Sequence, residues 1–482
     1  TINFSVQGFT SKEIMDLFDA ASLRVSSGSA CGSALVGSYV LEAMGFPKWR
    51  SDGAIRMSFG PMTTEADIAA AEKRITEAGQ ALCESCLIVG HDIDQSPDSI
   101  LDGLIQLKRG SACSWILLDA ESRRCVIIDP FEELADRIES IVRCQNSRVL
   151  AILDTHNHVD HDSCRALLLK ALADHAEPSA TTDDILGWPE QSDGTVTVGD
   201  ESQAEFFTFA GDRIIARTTL PGHTVDGMAF LVGTPTDGRL AGEQVELAFT
   251  GDTLLIGGIG RTDFYSSSAS DLYESLRRLP QLTSEATLIC PTHDYTNGFS
   301  TTVAAELRGN DFLRRITDPV MPISLDEFMQ EKDGVDNKID DEKNCELVCG
   351  HIQPYKSDCS SSIDLTPEEL PEFFAEHKDS LIIDVREPHE FRFAQDWDAL
   401  GLSTPPDNIP LTRLSHFLSQ LLAQSEQPER EIIFLCRSGS RSSKAAEVAR
   451  RLGRERVFHI KGGIALGTQR DAAQPDEMEY VI

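Results

Sequence analysis

The stretch Leu150-Ala151-Ile152-Leu153-Asp154-Thr155-His156-Asn157-His158-Val159-Asp160-His161 decides how this chain is read. Four consecutive apolar residues predict a buried strand. The strand gives way at once to three imidazoles and a carboxylate, His156, His158, Asp160 and His161. Packing gives no reason for that density at a strand end, whereas neutral imidazole with carboxylate is a donor set for a mid-hard divalent metal. Three later segments can complete such a site: Pro221-Gly222-His223-Thr224, Thr250-Gly251-Asp252-Thr253 and Pro291-Thr292-His293-Asp294-Tyr295, the last again directly after a strand.

Around this cluster the texture is one of short apolar strands. Trp115 to Leu118, Val126 to Ile128, Phe206 to Phe209, Ile214 to Ala216, Met228 to Val232, Leu247 to Phe249 and Thr287 to Ile289 read as strands, with helices at Ser163 to Asp174 and Ala269 to Leu279. Strand-rich halves with helices outside predict a layered α/β body.

The histidine and aspartate spacing, together with Gly257-Gly258-Ile259-Gly260-Arg261-Thr262-Asp263-Phe264, His293-Asp294-Tyr295 and Gly298-Phe299, resembles the metallo-β-lactamase superfamily, and within it the persulfide dioxygenases, over about residues 100–313. The resemblance implies an αββα sandwich. It implies one Fe(II) per chain, held by His156, His223 and Asp252, with faces left open for O2 and a substrate sulfur. His158, Asp160, His161 and His293 are then supporting groups or a second metal site. Arg261 and Tyr295 would steer an anionic persulfide, glutathione persulfide above all; for Arg261 the other reading is an internal salt bridge with Asp263. The rival within the superfamily is a binuclear zinc hydrolase of the glyoxalase II type, since all seven ligand positions are filled.

Toward the C-terminus, Ile432 to Leu435 leads into Cys436-Arg437-Ser438-Gly439-Ser440-Arg441 and then a helix. A Cys in a loop whose N–H groups converge at a helix N-terminus has a stabilised thiolate. With Ile383-Asp384-Val385-Arg386 and Glu390-Phe391, this resembles a rhodanese domain, in which Cys436 would carry sulfane sulfur and Arg441 would close the loop. Four residues between Cys436 and Arg441 make a tighter ring than the five usual in a Cys-based phosphatase. Two departures bear on substrate choice: Leu466 stands where an aromatic commonly follows Gly462-Gly463, and the family's His-Ile-Pro-Gly segment is replaced around Leu402 to Ile409.

At the other end, Ser26-Ser27-Gly28-Ser29-Ala30-Cys31-Gly32-Ser33, Val40 to Gly45 and Ala54 to Gly60 resemble the C-terminal part of group I cysteine desulfurases over about residues 1–85. Cys31 falls on the persulfide-carrying Cys of that family. The pyridoxal phosphate domain has no counterpart here, so that cofactor enters only if a larger part precedes Thr1. The chain opens on Thr1 and not on Met, which suggests trimming or a piece of something longer.

Length and composition are consistent with this division. At about 100–200 residues per domain, 482 residues predict two to four domains. The boundaries expected are 1–90, 97–325, a polar connector at 326–362 and a small parallel-sheet domain at 363–482. Against 43 basic residues stand 78 acidic ones, a formal charge of −35, which argues against nucleic acid as a partner. No apolar run approaches the ~20 residues needed to span a bilayer, and a cytoplasmic location is expected. The twelve Cys, spread through a long chain without a secretory signal, predict reduced thiols. Cys83 with Cys86, and Cys345 with Cys349, are left unassigned. The combined expectation is a sulfur-handling fusion in which a persulfide is oxidised to sulfite and thiosulfate is a further product. A homo-oligomer and a sulfur-donor protein are the other partners considered. The alternative from another class is a sulfur carrier or scaffold with a silent centre.

Overall fold

The structure, a computed structural model, describes residues 1–27, 38–88, 100–158, 163–199, 202–337, 349–352, 363–393, 397–402, 404–423 and 430–467. Cys31, Asp160, His161 and Cys345 lie outside these.

The central unit is a sandwich of two sheets. One has four strands in the order Gly103–Arg109, Ala112–Asp119, Arg124–Ile128, Arg148–Leu153, and the other has eight, from Arg239–Leu240 at one edge to Thr301–Thr302 at the other. Strand alternation turns Trp115, Leu117, Val126 and Ile128 inward against Phe207, Phe209, Phe230 and Phe249 of the facing sheet. Trp115 meets Phe249 edge to face at 6.0 Å, and its indole N–H is satisfied by the Pro291 carbonyl at 3.0 Å. The outer face of the smaller sheet is covered by the helices Ala135–Cys144 and Arg165–Ala171. Ala269–Leu282 and Asp311–Ile316 cover the larger. The layered α/β expectation holds.

One parallel pair in each sheet positions the site. Arg124–Ile128 runs parallel to Arg148–Leu153, and Val245–Gly251 runs parallel to Leu288–Pro291. Asp129, His156, Asp252 and His293 all follow the carboxyl ends of these four strands, where polar loops can converge without breaking the core.

The C-terminal unit is a five-stranded, wholly parallel sheet in the order Asp364–Leu365, Val457–Ile460, Ile432–Leu435, Leu381–Asp384, Asp407–Asn408. Its helix Leu370–Glu376 is preceded by a turn in which Glu369 accepts from the Thr366 N–H at 2.8 Å. The N-terminal unit pairs Ile2–Ser5 with Ala54–Met57 antiparallel and packs Ile14, Leu17, Phe18, Ile55 and Leu82 together. Its helices Ser11–Ala20 and Glu65–Glu84 open with the capping boxes Thr10/Glu13 and Thr64/Asp67.

Two expectations are corrected. The polar connector begins instead as an ordered helix, Leu325–Asp336, which buries Phe328, Lys332 and Asp336. Gly350–Ile352 then pairs antiparallel with Gly258–Gly260 of the central unit. The charges that made this stretch read as solvated are matched internally: the Lys332 ammonium meets the Asp336 carboxylate one helical turn on. The second correction concerns the thiols. Cys86 is disulfide-bonded to Cys144, 58 residues away, with Cα atoms 5.4 Å apart.

Candidate metal centre and cysteine loop

The ring nitrogens of His156 and His223 and a carboxylate oxygen of Asp252 lie within 4.8 Å of one another, all buried. His223 Nε2 is 3.6 Å, and His156 Nε2 3.9 Å, from Asp252 Oδ2. The other nitrogen of each ring fixes the tautomer. His223 Nδ1–H donates to the Arg261 carbonyl at 3.0 Å. Thr155 Oγ1 donates its proton to Asp129 at 3.0 Å, so it accepts from His156 Nδ1, also at 3.0 Å. Both Nε2 lone pairs therefore face Asp252, as ligation requires. The arrangement fits one divalent ion held from one side by two imidazoles and a carboxylate.

The local backbone makes room for this. Gly251 has φ +55°, and a Cβ there would meet Thr155 Oγ1 at 2.8 Å. At Gly260 a Cβ would meet the Asp252 carbonyl at 2.3 Å and His223 Cβ at 3.0 Å. Gly260 thus lets the strand lie against Asp252 and His223.

Supporting groups surround the set. His293 lies beside Asp252 and is itself stacked on Tyr295, ring centroids 5.6 Å apart. His158 Nε2 lies 3.5 Å from Asp129 Oδ1, and Asp129, Asp154 and His158 form a second group of clustered donors. Burial works against the His158 imidazolium, but the bond and charge of Asp129 prevail and its pKa is raised. Arg261 takes the internal salt bridge: its guanidinium grips Asp263 at 2.9 and 2.7 Å over the Phe264 ring. The bond from Arg261 holds the Asp263 carboxyl below its usual range. Tyr295 Oη accepts from the Cys349 backbone N–H at 2.7 Å, so it anchors the incoming segment.

Three groups at the centre are not singled out by the sequence reading. Asp129 accepts from the Thr155 N–H at 2.7 Å and from Thr292 Oγ1 at 2.6 Å; the signal was an Asp-Pro directly after a buried strand. Asp336 accepts from the Thr262 N–H and hydroxyl at 2.9 and 3.0 Å, inside the Gly-Arg-Thr-Asp-Phe run. Cys349 brings its sulfur within 4.8 Å of the Asp252 and His293 donor atoms; a Cys so far along the chain from both carries no such signal in sequence.

Cys436 sits apart from His156, His223 and Asp252, at the end of Ile432–Leu435 in the C-terminal sheet, and is fully buried. The Gly439 N–H donates to its Sγ at 3.2 Å, and Ser442 Oγ lies at 3.5 Å. Gly439 adopts φ +88° to turn the loop into the helix Ser440–Arg451. Arg441 is held bidentate by Glu390 at 2.5 and 2.7 Å, so it clamps the loop.

The Metallo-beta-lactamase superfamily profile matches residues 109–293, and the Rhodanese-like domain profile matches residues 366–467. "Persulfide dioxygenase ETHE1, mitochondrial" of Bos taurus is 31% identical over 51% of this chain and 87% of its own length. The Homo sapiens protein of that name is 30% identical over 45% and 74%. A "Hydroxyacylglutathione hydrolase" of Synechococcus sp. (strain CC9902) is 32% identical over 41% and 71%. Among the described residues no helix is long and apolar enough to cross a membrane. The chain belongs to the metallo-β-lactamase superfamily and carries a rhodanese-like domain after its metallo-β-lactamase fold.

Proposed function

We propose that the central unit is an iron(II)-dependent persulfide dioxygenase, with glutathione persulfide (GSSH) as substrate, and that Cys436 transfers sulfane sulfur. The balanced oxidation is GSSH + O2 + H2O → GSH + SO3²⁻ + 2 H⁺. The observation that carries it is the one-sided convergence of His156, His223 and Asp252, supported by the relatives named persulfide dioxygenase. Iron(II) bound there would supply the electron exchange with dioxygen; the chain supplies position and a buried pocket.

His156, His223 and Asp252 would hold the ion, with His293 keeping the Asp252 carboxylate in place. Arg261, its guanidinium gripped by Asp263, serves through its main chain by orienting His223. Tyr295 fixes the wall that Cys349 joins. At Cys436, sulfite attacks the outer sulfur of a Cys436 persulfide, the S–S bond breaks, and thiosulfate leaves with the Cys436 thiolate restored. For the N-terminal unit we propose the desulfurase-end reading, with Cys31 as an upstream carrier.

The hydrolase reading draws on the Synechococcus relative and on the second donor group at Asp129, Asp154 and His158. The two separate in one assay. Oxygen uptake matched one to one by sulfite from glutathione persulfide supports the dioxygenase. Hydrolysis of a glutathione thioester without oxygen uptake refutes it.

A further inference from the structure

A cavity of about 170 Å³ lies where the three units meet. Its wall includes Glu13 of the N-terminal unit, Cys86, Leu107 and Arg137 beside it, and His389 and Arg441 of the C-terminal unit. His389 is 4% exposed, and its Nδ1 has no hydrogen-bond partner among the described residues. One wall of this cavity is thus half of the Cys86–Cys144 disulfide, and another is the Arg that clamps the Cys436 loop.

The N-terminal unit lies across that loop. Arg437, the residue after Cys436, pairs with Asp19 and, at 3.7 Å, with Asp16 of the helix Ser11–Ala20. Lys12 and Arg24 share these two carboxylates. On its other side the same unit is tied to the helix Ala135–Cys144. Glu13 accepts from Arg137 at 2.5 Å, the Gly8 carbonyl accepts from Arg137 Nε at 3.1 Å, and Gln7 donates to Asp136 at 2.9 Å. The disulfide closes this second attachment covalently, since Cys144 ends that helix and Cys86 follows the helix Glu65–Glu84. Partly exposed ion pairs are individually weak. A covalent tie keeps them at high effective concentration and so keeps the cover on.

We infer that Cys86–Cys144 is a thiol-reducible latch, and that while it is closed the N-terminal unit shields Cys436. The reductant is a small thiol or hydrosulfide, the class a cavity of this size admits. A thiolate attacks one sulfur of the disulfide, forming a mixed disulfide and expelling the other cysteine as a thiolate, which takes up a proton. A second thiol attacks the mixed disulfide, so two RSH are oxidised to RSSR and Cys86 and Cys144 are reduced. The effect on sulfur transfer rests on reading Cys436 as the carrier; the latch itself does not.

The test uses the full chain in its oxidised form, before and after treatment with 2-mercaptoethanol and desalting. The rate of iodoacetamide labelling of Cys436 is followed by peptide mass spectrometry, and the Cys86–Cys144 cross-linked peptide is quantified alongside. Reduction is expected to raise the Cys436 labelling rate about tenfold or more. Cys144→Ser should label at the fast rate without pretreatment and gain nothing from it. Equal rates before and after reduction of the wild-type chain overturn the inference, as does an oxidised chain without the cross-linked peptide. The wild-type arm does not depend on whether Cys144→Ser folds. Labelling reads exposure alone, so failed sulfur transfer with a working latch would refute the transfer role and leave the latch standing.

Discussion

His293 donates from Nδ1 to both carboxylate oxygens of Asp252, at 2.9 and 2.8 Å. Two bonds from one nitrogen leave the carboxylate little freedom to turn away from the imidazoles of His156 and His223. Removing such a partner typically costs about 10–100-fold in metal affinity or activity. His293→Ala is therefore expected to lower iron affinity by that factor while the fold, read by circular dichroism, is retained. Iron titration of the apo chain measures it.

For the ligands themselves the loss should be complete. His156→Ala, His223→Ala and Asp252→Ala each remove one of three donors, and each chain is expected to retain no stoichiometric iron and to consume no oxygen with glutathione persulfide. Metal analysis and an oxygen electrode check both.

The Lys332–Asp336 pair predicts a stability effect in a stretch whose composition reads as linker. Both residues are buried, and Asp336 also receives the Thr262 N–H and hydroxyl. Breaking a buried ion pair from one side costs about 3–5 kcal/mol. Lys332→Ala should show that loss in denaturant unfolding of the central unit. Lys332→Met with Asp336→Asn should recover most of it, because no lone charge remains buried and the amide oxygen still accepts from Thr262. Thr262 adjoins Arg261, whose carbonyl holds His223, so Lys332→Ala should also weaken iron binding.

The same residues show what the sequence could and could not tell. The candidate metal-binding residues were legible because each follows a strand end and because imidazole at that density has no packing role. The cysteine loop was legible because a strand, a Cys, glycines and a helix occur in immediate succession. Lys332 and Asp336 were not, because composition registers charges and cannot register that two of them pair at i and i+4 inside a core. The Cys86–Cys144 bond was hidden for a related reason: its partners are 58 residues apart, and only the docking of the N-terminal unit on the helix Ala135–Cys144 brings them together. The desulfurase-like reading of that unit turns on Cys31, which lies outside the described residues.

Acid should weaken the C-terminal unit through His389. Burial lowers its pKa to about 4 from an ordinary 6.5. Between these values the unfolded chain binds a proton that the folded chain does not, so stability falls as pH drops through that window. At about 1.4 kcal/mol per pH unit the loss approaches about 3 kcal/mol near pH 4. Denaturant midpoints from pH 7 to pH 4 should show this slope, and His389→Gln should flatten it.

Cys436→Ser separates the two activities. With the metal ligands in another unit, oxidation of added glutathione persulfide should continue within about twofold of the parent, while thiosulfate formation stops. Loss of direct oxidation in this variant would show that the two centres do not work independently.

The central claim is a single iron(II) gripped by His156, His223 and Asp252. Its most direct test is the metal content of the purified full chain, with oxygen uptake on glutathione persulfide followed in the same preparation. The account predicts one iron per chain and uptake in proportion to it. Two zinc ions per chain with no oxygen uptake would contradict it.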